Sequence, residues 1–282
     1  MKCIFWDVQH GSAATIITPN GEHIAVDLGT GSYHGQREFS PLLHLKRNYG
    51  VSRLHALVVT HPHRDHLEDI ANVGTLSPHI LVHPGHLSDD EIRKGNRADD
   101  EAIITQYIDT RARFSRSIAP EESLTNPANV GDVKINLFLP DKASRANLSN
   151  HSVVVVLNYA GSTLLLPGDN EPVSWKELLQ QPGFVEAVKG TDVLVASHHG
   201  RDSGFCAELF EVISPKLVIV SDGRFSDTSA TDRYSARASG WTVHRRSGPD
   251  TERRCLTTRA DGAIVVEFGR NGSAPFIDVR ID

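Results

Sequence analysis

The chain has 282 residues, of which 39% are hydrophobic and 23% charged, as is usual for a globular protein. Its formal net charge of -6 at pH 7 gives no general indication of a nucleic-acid-binding surface. Cys3, Cys206 and Cys255 are odd in number and widely spaced, which argues against a disulfide framework and favours a reducing compartment. No apolar segment approaches the roughly 20 residues that span a bilayer, so we expect a cytoplasmic protein with no membrane partner.

The first third of the chain predicts a hairpin followed by alternating strands and helices. Strands are predicted over residues 3–8, 14–18, 23–27 and 56–60. Pro19-Asn20-Gly21 is a turn signal that makes the second and third of these a hairpin. Ser40 and Pro41 offer a helix N-cap and a first-turn proline, which predict a helix to about Tyr49. A short helix is predicted to start at Leu67.

The composition changes between about Pro84 and Asn129, where charged residues are frequent and large apolar residues are few. A helix is predicted over residues 99–116. We interpret this segment as an insertion around 84–129 within one domain that covers residues 1–282. The basic stretch of Arg111, Arg113 and Arg116 is either a solvated helix face or a contact for a phosphate backbone.

Strands return in the second half of the chain, with helices between them. Strands are predicted over residues 133–139, 152–159, 163–166, 192–196, 216–221, 241–245, 254–258 and 263–268. Helices are predicted over about 172–181 and 205–212. The last two strands are expected to pair through a turn at Asp261-Gly262. Strands and helices mixed in this way predict sheets covered by helices, an α/β fold.

Six consecutive residues, His61-Pro62-His63-Arg64-Asp65-His66, place three imidazoles and a carboxylate directly after the apolar strand at 56–60. Imidazole and carboxylate are ligands of zinc, and also of manganese or iron. The alternating His61 and His63 can converge on one ion, and Asp65 and His66 can reach a second. The alternative is a polar surface loop that happens to be rich in histidine.

Three apolar runs of the sequence each stop at residues of the metal-ligand type. Residues 57–59 lead to His61, residues 164–166 to Gly168-Asp169, and residues 193–195 to His198-His199. Buried strands that end in this way predict one site at a sheet edge. The candidate ligands are His61, His63, Asp65, His66, Asp169 and one of His198 and His199. A carboxylate such as Asp169 can bridge two cations, and two ions about 3.5–4 Å apart can share a hydroxide nucleophile.

The segment HPHRDH resembles the HxHxDH signature of metallo-beta-lactamase-fold hydrolases. Asp27 in Ala25-Val26-Asp27-Leu28-Gly29, Asp169 after Gly168, and the segment His198-His199-Gly200 are similar to further motifs of that family. The opening Asp7-Val8-Gln9-His10-Gly11-Ser12 is similar to the DVGQGD opening of the ComEC-type branch. Domains of that branch occur in DNA-uptake membrane proteins and as stand-alone hydrolases. The resemblance covers nearly the whole chain.

The resemblance implies a four-layer αβ/βα sandwich with two divalent metal ions, zinc first and manganese or iron as alternatives, between the sheet edges. It implies that His61 and His63 hold the first ion, that Asp65 and His66 hold the second, and that Asp169 bridges them. Asp27 would fix a ligand imidazole through its other ring nitrogen. The implied chemistry is hydrolysis of phosphoesters, esters or amide-like bonds by a metal-bridged hydroxide.

The sequence departs from the family pattern at several positions. His10 and Ser12 replace the Gln and final Asp of the opening motif, and Glu68-Asp69 stands where many relatives have Gly-Gly. These two acids either repel a phosphate backbone or pair with a nearby arginine. A clear third-motif histidine is missing; the nearest candidate is His151, with Asn150 beside it, as a metal ligand or as a loop residue behind the ligands.

The adjacent histidines leave one choice open. If residues 198–199 are extended, neighbouring side chains point to opposite sides and one imidazole faces the ion. By the resemblance, His199 before Gly200 is the ligand. His198 would then face the substrate and could protonate the leaving group, so the catalytic assignments are Asp65 and His198.

Three functions follow as hypotheses. The first is a metal-dependent phosphodiesterase or nuclease acting on nucleic acid. The second is a hydrolase of a small ester, lactone or phosphomonoester, which the net charge and Glu68-Asp69 favour. The third, from a different class, is a non-catalytic metal-binding module in a multi-protein system.

Overall fold

The computed structural model describes residues 1–31, 39–223 and 230–281. Within these residues there are fifteen strands and seven α-helices. The strands are β1 (Lys2–Phe5), β2 (Ala14–Ile17), β3 (His23–Val26), β4 (Ala56–Val58), β5 (Ile80–Val82), β6 (Lys134–Phe138), β7 (Val154–Tyr159), β8 (Ser162–Leu166), β9 (Val193–Val195), β10 (Leu217–Val220), β11 (Trp241–Arg245), β12 (Thr251–Arg253), β13 (Cys255–Thr257), β14 (Ile264–Asn271) and β15 (Ala274–Ile281). The helices are α1 (Pro41–Asn48), α2 (Asp89–Lys94), α3 (Glu101–Ala112), α4 (Pro172–Leu178), α5 (Pro182–Val188), α6 (Thr231–Ser235) and α7 (Thr258–Asp261).

The described strands form two sheets. The first has the strand order β12-β11-β15-β14-β1-β2-β3-β4-β5, and the second has the order β13-β10-β9-β8-β7-β6. In the first sheet β3, β4 and β5 are parallel neighbours, and in the second β8, β9, β10 and β13 are parallel neighbours. Each sheet therefore has a parallel part, in which the carboxyl ends of neighbouring strands lie at the same edge.

Alternating side chains of the strands build three apolar layers. In β1, Cys3 and Phe5 point into the core between the two sheets, whereas Ile4 points to the outer face of the first sheet. In β7, Val155 points into the same central core and Val154 to the outer face of the second sheet. This period of two follows from strand geometry and gives each sheet two apolar faces that must be covered.

Helices cover both outer faces. Leu45 of α1 and Tyr107 of α3 pack on the first sheet, and Trp175 of α4, Phe184 of α5 and Tyr234 of α6 pack on the second. The result is two sheets face to face with helices on either side. The predicted four-layer αβ/βα sandwich of the metallo-beta-lactamase type is confirmed.

Several local predictions are confirmed by their hydrogen bonds. At the predicted hairpin, β2 and β3 pair antiparallel, and the Gly21 amide donates to the Thr18 carbonyl across the turn at 3.0 Å. Helix α1 begins where Ser40 and Pro41 predict, because the Ser40 hydroxyl accepts from the Leu43 amide at 3.1 Å. The helix predicted from Leu67 is a 3-10 helix over Glu68–Thr75.

The predicted pairing of the tail strands is wrong. Strand β13 pairs parallel with β10 in the second sheet, whereas β14 pairs with β1 and β15 in the first sheet. Between them the chain forms helix α7, because the Thr257 hydroxyl caps it by accepting from the Ala260 amide at 3.2 Å. Strand β15 was not predicted at all. The helix predicted over 205–212 is reduced to a 3-10 turn over Glu208–Glu211.

The segment around residues 84–129 contributes helices α2 and α3. Ile104, Tyr107 and Ile108 of α3 are buried in the core on the outer face of the first sheet. Arg111 pairs with Asp89, and Arg116 pairs with Glu122 at 2.8 Å, so two cations of the basic stretch have acidic partners. A single domain over residues 1–282 with an insertion here stays a prediction. Among the described helices, none combines the length and the apolarity needed to cross a membrane.

Candidate metal centre

His61, His63 and Asp169 form the first half of a polar cluster at the carboxyl ends of β4 and β8. The fully buried His61 points its Nε2 at His63 Nδ1, 2.9 Å away, and at Asp169 Oδ2, 3.7 Å away. The two histidines lie on a short extended segment, so their side chains approach the same point from two directions. His63 ends this segment as the N-cap residue of a 3-10 turn over Arg64–His66.

The 3-10 turn presents Asp65 and His66 to the second half of the cluster. His199 Nε2 lies 3.1 Å from Asp65 Oδ2 and 3.2 Å from His66 Nε2. Asp169 Oδ1 lies 3.3 Å from His66 Nε2, and Asp169 Oδ2 lies 3.5 Å from His199 Nε2. The two oxygens of Asp169 therefore face both halves; its role as a bridging ligand stays a prediction.

The position of Asp169 depends on the glycine before it. Gly168 has a φ of +61°, and a Cβ atom there would lie 2.7 Å from Ser152 Cβ and 2.9 Å from Thr60 Cβ. The Ser152 hydroxyl also accepts a hydrogen bond from the Asp169 amide at 3.0 Å. A left-handed residue without a side chain thus lets the end of β8 approach the end of β4.

Asp27 lies behind the cluster and orients His66. Its Oδ2 is 2.8 Å from His66 Nδ1, while the Thr60 amide and hydroxyl donate to Oδ1 at 2.8 and 2.9 Å. A carboxylate that holds Nδ1–H leaves the Nε2 lone pair to face the cluster. This agrees with the role that the resemblance implies for Asp27.

The protonation of the cluster is set by burial and by its own opposite charges. Burial opposes ionisation of Asp65 and Asp169, but His66 and His199 outweigh it and hold the pKa of both carboxyls well below the usual range. Burial, followed by the charge of His66, lowers the pKa of His61 well below its usual value. Burial lowers the pKa of His66, but the carboxylates of Asp169 and Asp27 raise it well above the usual value. Protons on imidazoles thus balance buried carboxylates, and a cation could replace that charge.

The donor set fits divalent metal ions. Ligand atoms held about 2.0–2.2 Å from a tetrahedral ion lie about 3.3–3.5 Å apart. The separations given above range from 2.9 to 3.7 Å, which agrees with that spacing. Two groups have donor atoms that all lie within 4.8 Å of one another, namely His61, His66 and Asp169, and Asp65, His66 and His199. Imidazole and carboxylate donors without a thiolate suit zinc, manganese or iron.

Residues 198 and 199 are not extended, so the alternation expected for an extended segment does not apply. His198 has φ and ψ of 52° and 50°, and His199 has 55° and 26°, both left-handed. Both imidazoles consequently face Asp169, with His198 Nε2 at 3.7 Å from Oδ2. His199 Nδ1 lies 3.1 Å from the Ser221 carbonyl, which accepts its N–H and leaves Nε2 for the cluster.

His151 is placed elsewhere by the structure. Its Nδ1 lies 3.0 Å from His86 Nε2 and 3.3 Å from the Pro140 carbonyl, and no contact between His151 and the ligand cluster occurs in the described residues. Asn150 is closer to the site, because its side chain holds Glu171 by donating to Oε2 at 3.1 Å.

Glu171, His10 and Arg201 are site residues that the sequence analysis did not assign. Glu171 Oε1 lies 3.4 Å from His198 Nδ1, and His10 Nε2 lies 3.5 Å from Asp65 Oδ2. Burial lowers the pKa of His10 to about 4, so this imidazole is neutral at pH 7. Their positions in the sequence could have identified them, since all three residues lie inside or directly beside the recognised motifs.

Glu68 and Asp69 do not direct their charges at the cluster. Glu68 Oε1 pairs with Arg64 at 3.3 Å, and its Oε2 accepts from the Thr30 hydroxyl at 2.9 Å. Asp69 accepts from the Ser40 hydroxyl at 2.7 Å and from the Leu42 amide at 3.0 Å, at the start of α1. Of the two interpretations of these acids, pairing with a nearby arginine is correct for Glu68. Asp69 instead accepts hydrogen bonds at the N-terminus of α1.

Comparison with known proteins gives two curated relatives of low identity. The chain is 25% identical to ComE operon protein 3 of Bacillus subtilis (strain 168) over 193 residues, 67% of this chain and 22% of that protein. It is 24% identical to Recombination protein 2 of Haemophilus influenzae over 221 residues, 78% of this chain and 24% of that protein. The chain therefore spans about a quarter of the length of these relatives. No protein-family model matches the chain.

Among solved structures, the metallo-beta-lactamase fold protein YhfI from Bacillus subtilis is similar, with a TM-score of 0.36 and 14% sequence identity. The similarity covers 69% of this chain and 70% of that chain. Independently of that score, the sandwich of two helix-covered sheets carries the HPHRDH segment at the edge where its parallel strands end. The chain has the metallo-beta-lactamase fold, and its similarity to ComE operon protein 3 agrees with the predicted ComEC-type branch.

Proposed function

We propose that this protein is a metal-dependent hydrolase that cleaves phosphodiester bonds, with nucleic acid as the substrate class. The observation that carries the proposal is the convergence of imidazoles, the buried Asp169 and the partly buried Asp65 from three strand ends on one edge of the sandwich. His61, His63 and Asp169 would hold one ion, and Asp65, His66, His199 and Asp169 would hold the other. When bound, such a pair of divalent ions makes water nucleophilic at neutral pH and stabilises charge on attacking and leaving oxygens.

His198 is the residue that we assign to proton transfer. Its Nδ1 is held by Glu171 Oε1 at 3.4 Å and by Ser203 Oγ at 3.1 Å, so its Nε2 is directed at the cluster. Glu171 is itself fixed by amide groups of Asn147 and Asn150, at 2.8 and 3.1 Å. A histidine held in this way at the rim of the cluster can exchange a proton with a substrate oxygen through Nε2.

Two observations support a phosphodiester over a small neutral ester. The acidic pair Glu68-Asp69, which favoured the ester, is engaged by Arg64, Thr30 and Ser40 and adds no unpaired charge to the cluster. One relative is named for recombination, a process of nucleic acids, and we carry that substrate class to this chain as part of the proposal.

The test is a substrate panel with protein stripped of metal and then loaded with manganese or zinc. We expect cleavage of single-stranded DNA, RNA or bis(p-nitrophenyl) phosphate that EDTA abolishes and metal restores. His63→Ala should remove it, whereas His244→Ala, a histidine 45% exposed and paired with Asp250, should not. Hydrolysis of p-nitrophenyl acetate alone would favour the small-ester alternative. If the metal-loaded protein hydrolyses none of these substrates, the non-catalytic metal-binding module would be the remaining hypothesis.

A further inference from the structure

Arg201 lies at the rim of the metal centre, directly after the His198-His199-Gly200 segment. Its Nη2 is 3.0 Å from His10 Nε2, and its Nη1 is 3.4 Å from His198 Nε2. His10 Nε2 is in turn 3.5 Å from Asp65 Oδ2, and His198 Nε2 is 3.7 Å from Asp169 Oδ2. The guanidinium is therefore separated by a single imidazole from a carboxylate of each half of the cluster.

The backbone fixes Arg201 in this place. Its amide donates to the His198 carbonyl at 3.0 Å, which closes the turn that carries both histidines. The Gly200 carbonyl accepts from the Ala230 amide at 2.6 Å, which anchors the same turn to the start of α6. A side chain attached to a fixed turn loses less conformational entropy when it binds a ligand than a side chain on a flexible loop does.

The charge of Arg201 has no acidic partner in the part of the chain that the structure describes. Its Nε is buried and has no hydrogen-bond partner. Of the neighbouring acids, Asp202 pairs with Arg233 at 2.8 Å, and Asp222 lies 3.8 Å from Arg259 and interacts with Arg201 only at longer range. A partly buried guanidinium that faces two imidazoles is incompletely compensated, and an anionic ligand would compensate it.

We propose that Arg201 binds a non-bridging oxygen of the substrate's phosphate group, and that it makes the site selective for substrates with an anion at the scissile bond. A phosphodiester shares one negative charge between two non-bridging oxygens, so that one can face the metal centre and the other the guanidinium. A neutral carboxylic ester offers a single carbonyl oxygen and no charge. Arginine suits this task because its planar donors match phosphate oxygens. The proposal rests on the proposed function of the same site.

The first test compares two substrates in the manganese-loaded protein. Arg201→Gln should lower kcat/KM for bis(p-nitrophenyl) phosphate by about 100–1000-fold, the size of effect seen when one charge-stabilising donor is lost. The value for p-nitrophenyl acetate should fall less, since that ester is neutral when it binds and becomes an anion only in the transition state. Arg201→Lys should restore part of the phosphodiester activity. The matched control is Arg233→Gln, which removes a neighbouring arginine that has its own acid partner and should leave the substrate preference unchanged.

The second test does not need turnover. Titration calorimetry with inorganic phosphate should show about tenfold weaker binding to Arg201→Gln than to the wild type, with equal metal content in both by elemental analysis. Equal phosphate affinity in the two proteins would overturn the role of Arg201. If the wild type cleaves no substrate but phosphate binding still depends on Arg201, the proposed hydrolysis fails while the anion site stands. If Arg201→Gln fails to fold, both measurements are made on Arg201→Lys. Unchanged phosphate affinity and unchanged substrate preference in Arg201→Lys would count against a site that needs the planar guanidinium.

Discussion

The two chain segments that build the candidate metal centre differ in how they place their proposed ligands. In residues 61–66 the ligands are adjacent in sequence, and an extended segment followed by a 3-10 turn brings them together. In residues 197–201 two consecutive left-handed residues turn both histidines towards Asp169. Local backbone conformation brings the first set of side chains together and Asp27 orients His66, whereas contacts with Ser221 and Ala230 hold the second set. The identity of the proposed ligands is thus visible in the sequence, but the direction of their side chains depends on distant parts of the fold.

The largest effect is expected where the two segments meet, at the bridging carboxylate. Asp169→Asn keeps the size of the side chain but removes its charge, so the residue can no longer offer an anionic oxygen to each half. We expect phosphodiester kcat/KM to fall by about a thousandfold or more and bound metal to drop. The matched control is Asp202→Asn, at a 66% exposed side chain. Full activity and full metal content in Asp169→Asn would contradict the bridging role.

The next comparison separates the two neighbouring histidines. His198→Ala should lower kcat by about a hundredfold while metal content stays constant, since proton transfer by a positioned side chain contributes on the order of 10²–10⁴. His199→Ala should instead reduce the number of ions bound. Activity measurements combined with elemental analysis distinguish these results. Loss of metal from His198→Ala would show that His198 is a ligand, and the proton-transfer assignment would be wrong.

A smaller effect is expected behind the first segment, at Asp27. Asp27→Asn should weaken metal affinity by about 10–100-fold, the usual effect of losing a partner that orients a ligand imidazole. The backbone should tolerate the change, because Asp27 has a φ of 61° and asparagine readily adopts that conformation. Competition with a fluorescent chelator measures the affinity. An unchanged dissociation constant would mean that Thr60 and the fold alone orient His66.

The smallest effect concerns the backbone of the second segment. A Cβ atom on Gly200 would lie 2.8 Å from Val220 Cγ1, and its φ is +72°. Gly200→Ala should therefore reduce the free energy of unfolding by about 1–3 kcal/mol. Gly74→Ala is the control, because no atom lies within 4 Å of a Cβ placed there. Denaturant melts compare the two, and equal stability would argue against a fixed turn.

The sequence was informative where structure follows from neighbouring residues. The strand exits at His61, Asp169 and His199, the β2–β3 hairpin and the start of α1 are local patterns, and each lies where it was predicted. The tail was mispredicted in part because β14 pairs with the distant β1 and not with β13, and the local hairpin of β14 and β15 was missed as well. Arg201 stands directly beside a recognised motif, but its role depends on His10, 191 residues away.

The most direct test of the metal centre is the number of ions bound per chain. After equilibration with zinc or manganese and removal of free metal, elemental analysis should find two ions in the wild type and fewer in His63→Ala. A wild-type chain that retains no metal, or a His63→Ala chain that retains as much as the wild type, would contradict the dinuclear centre.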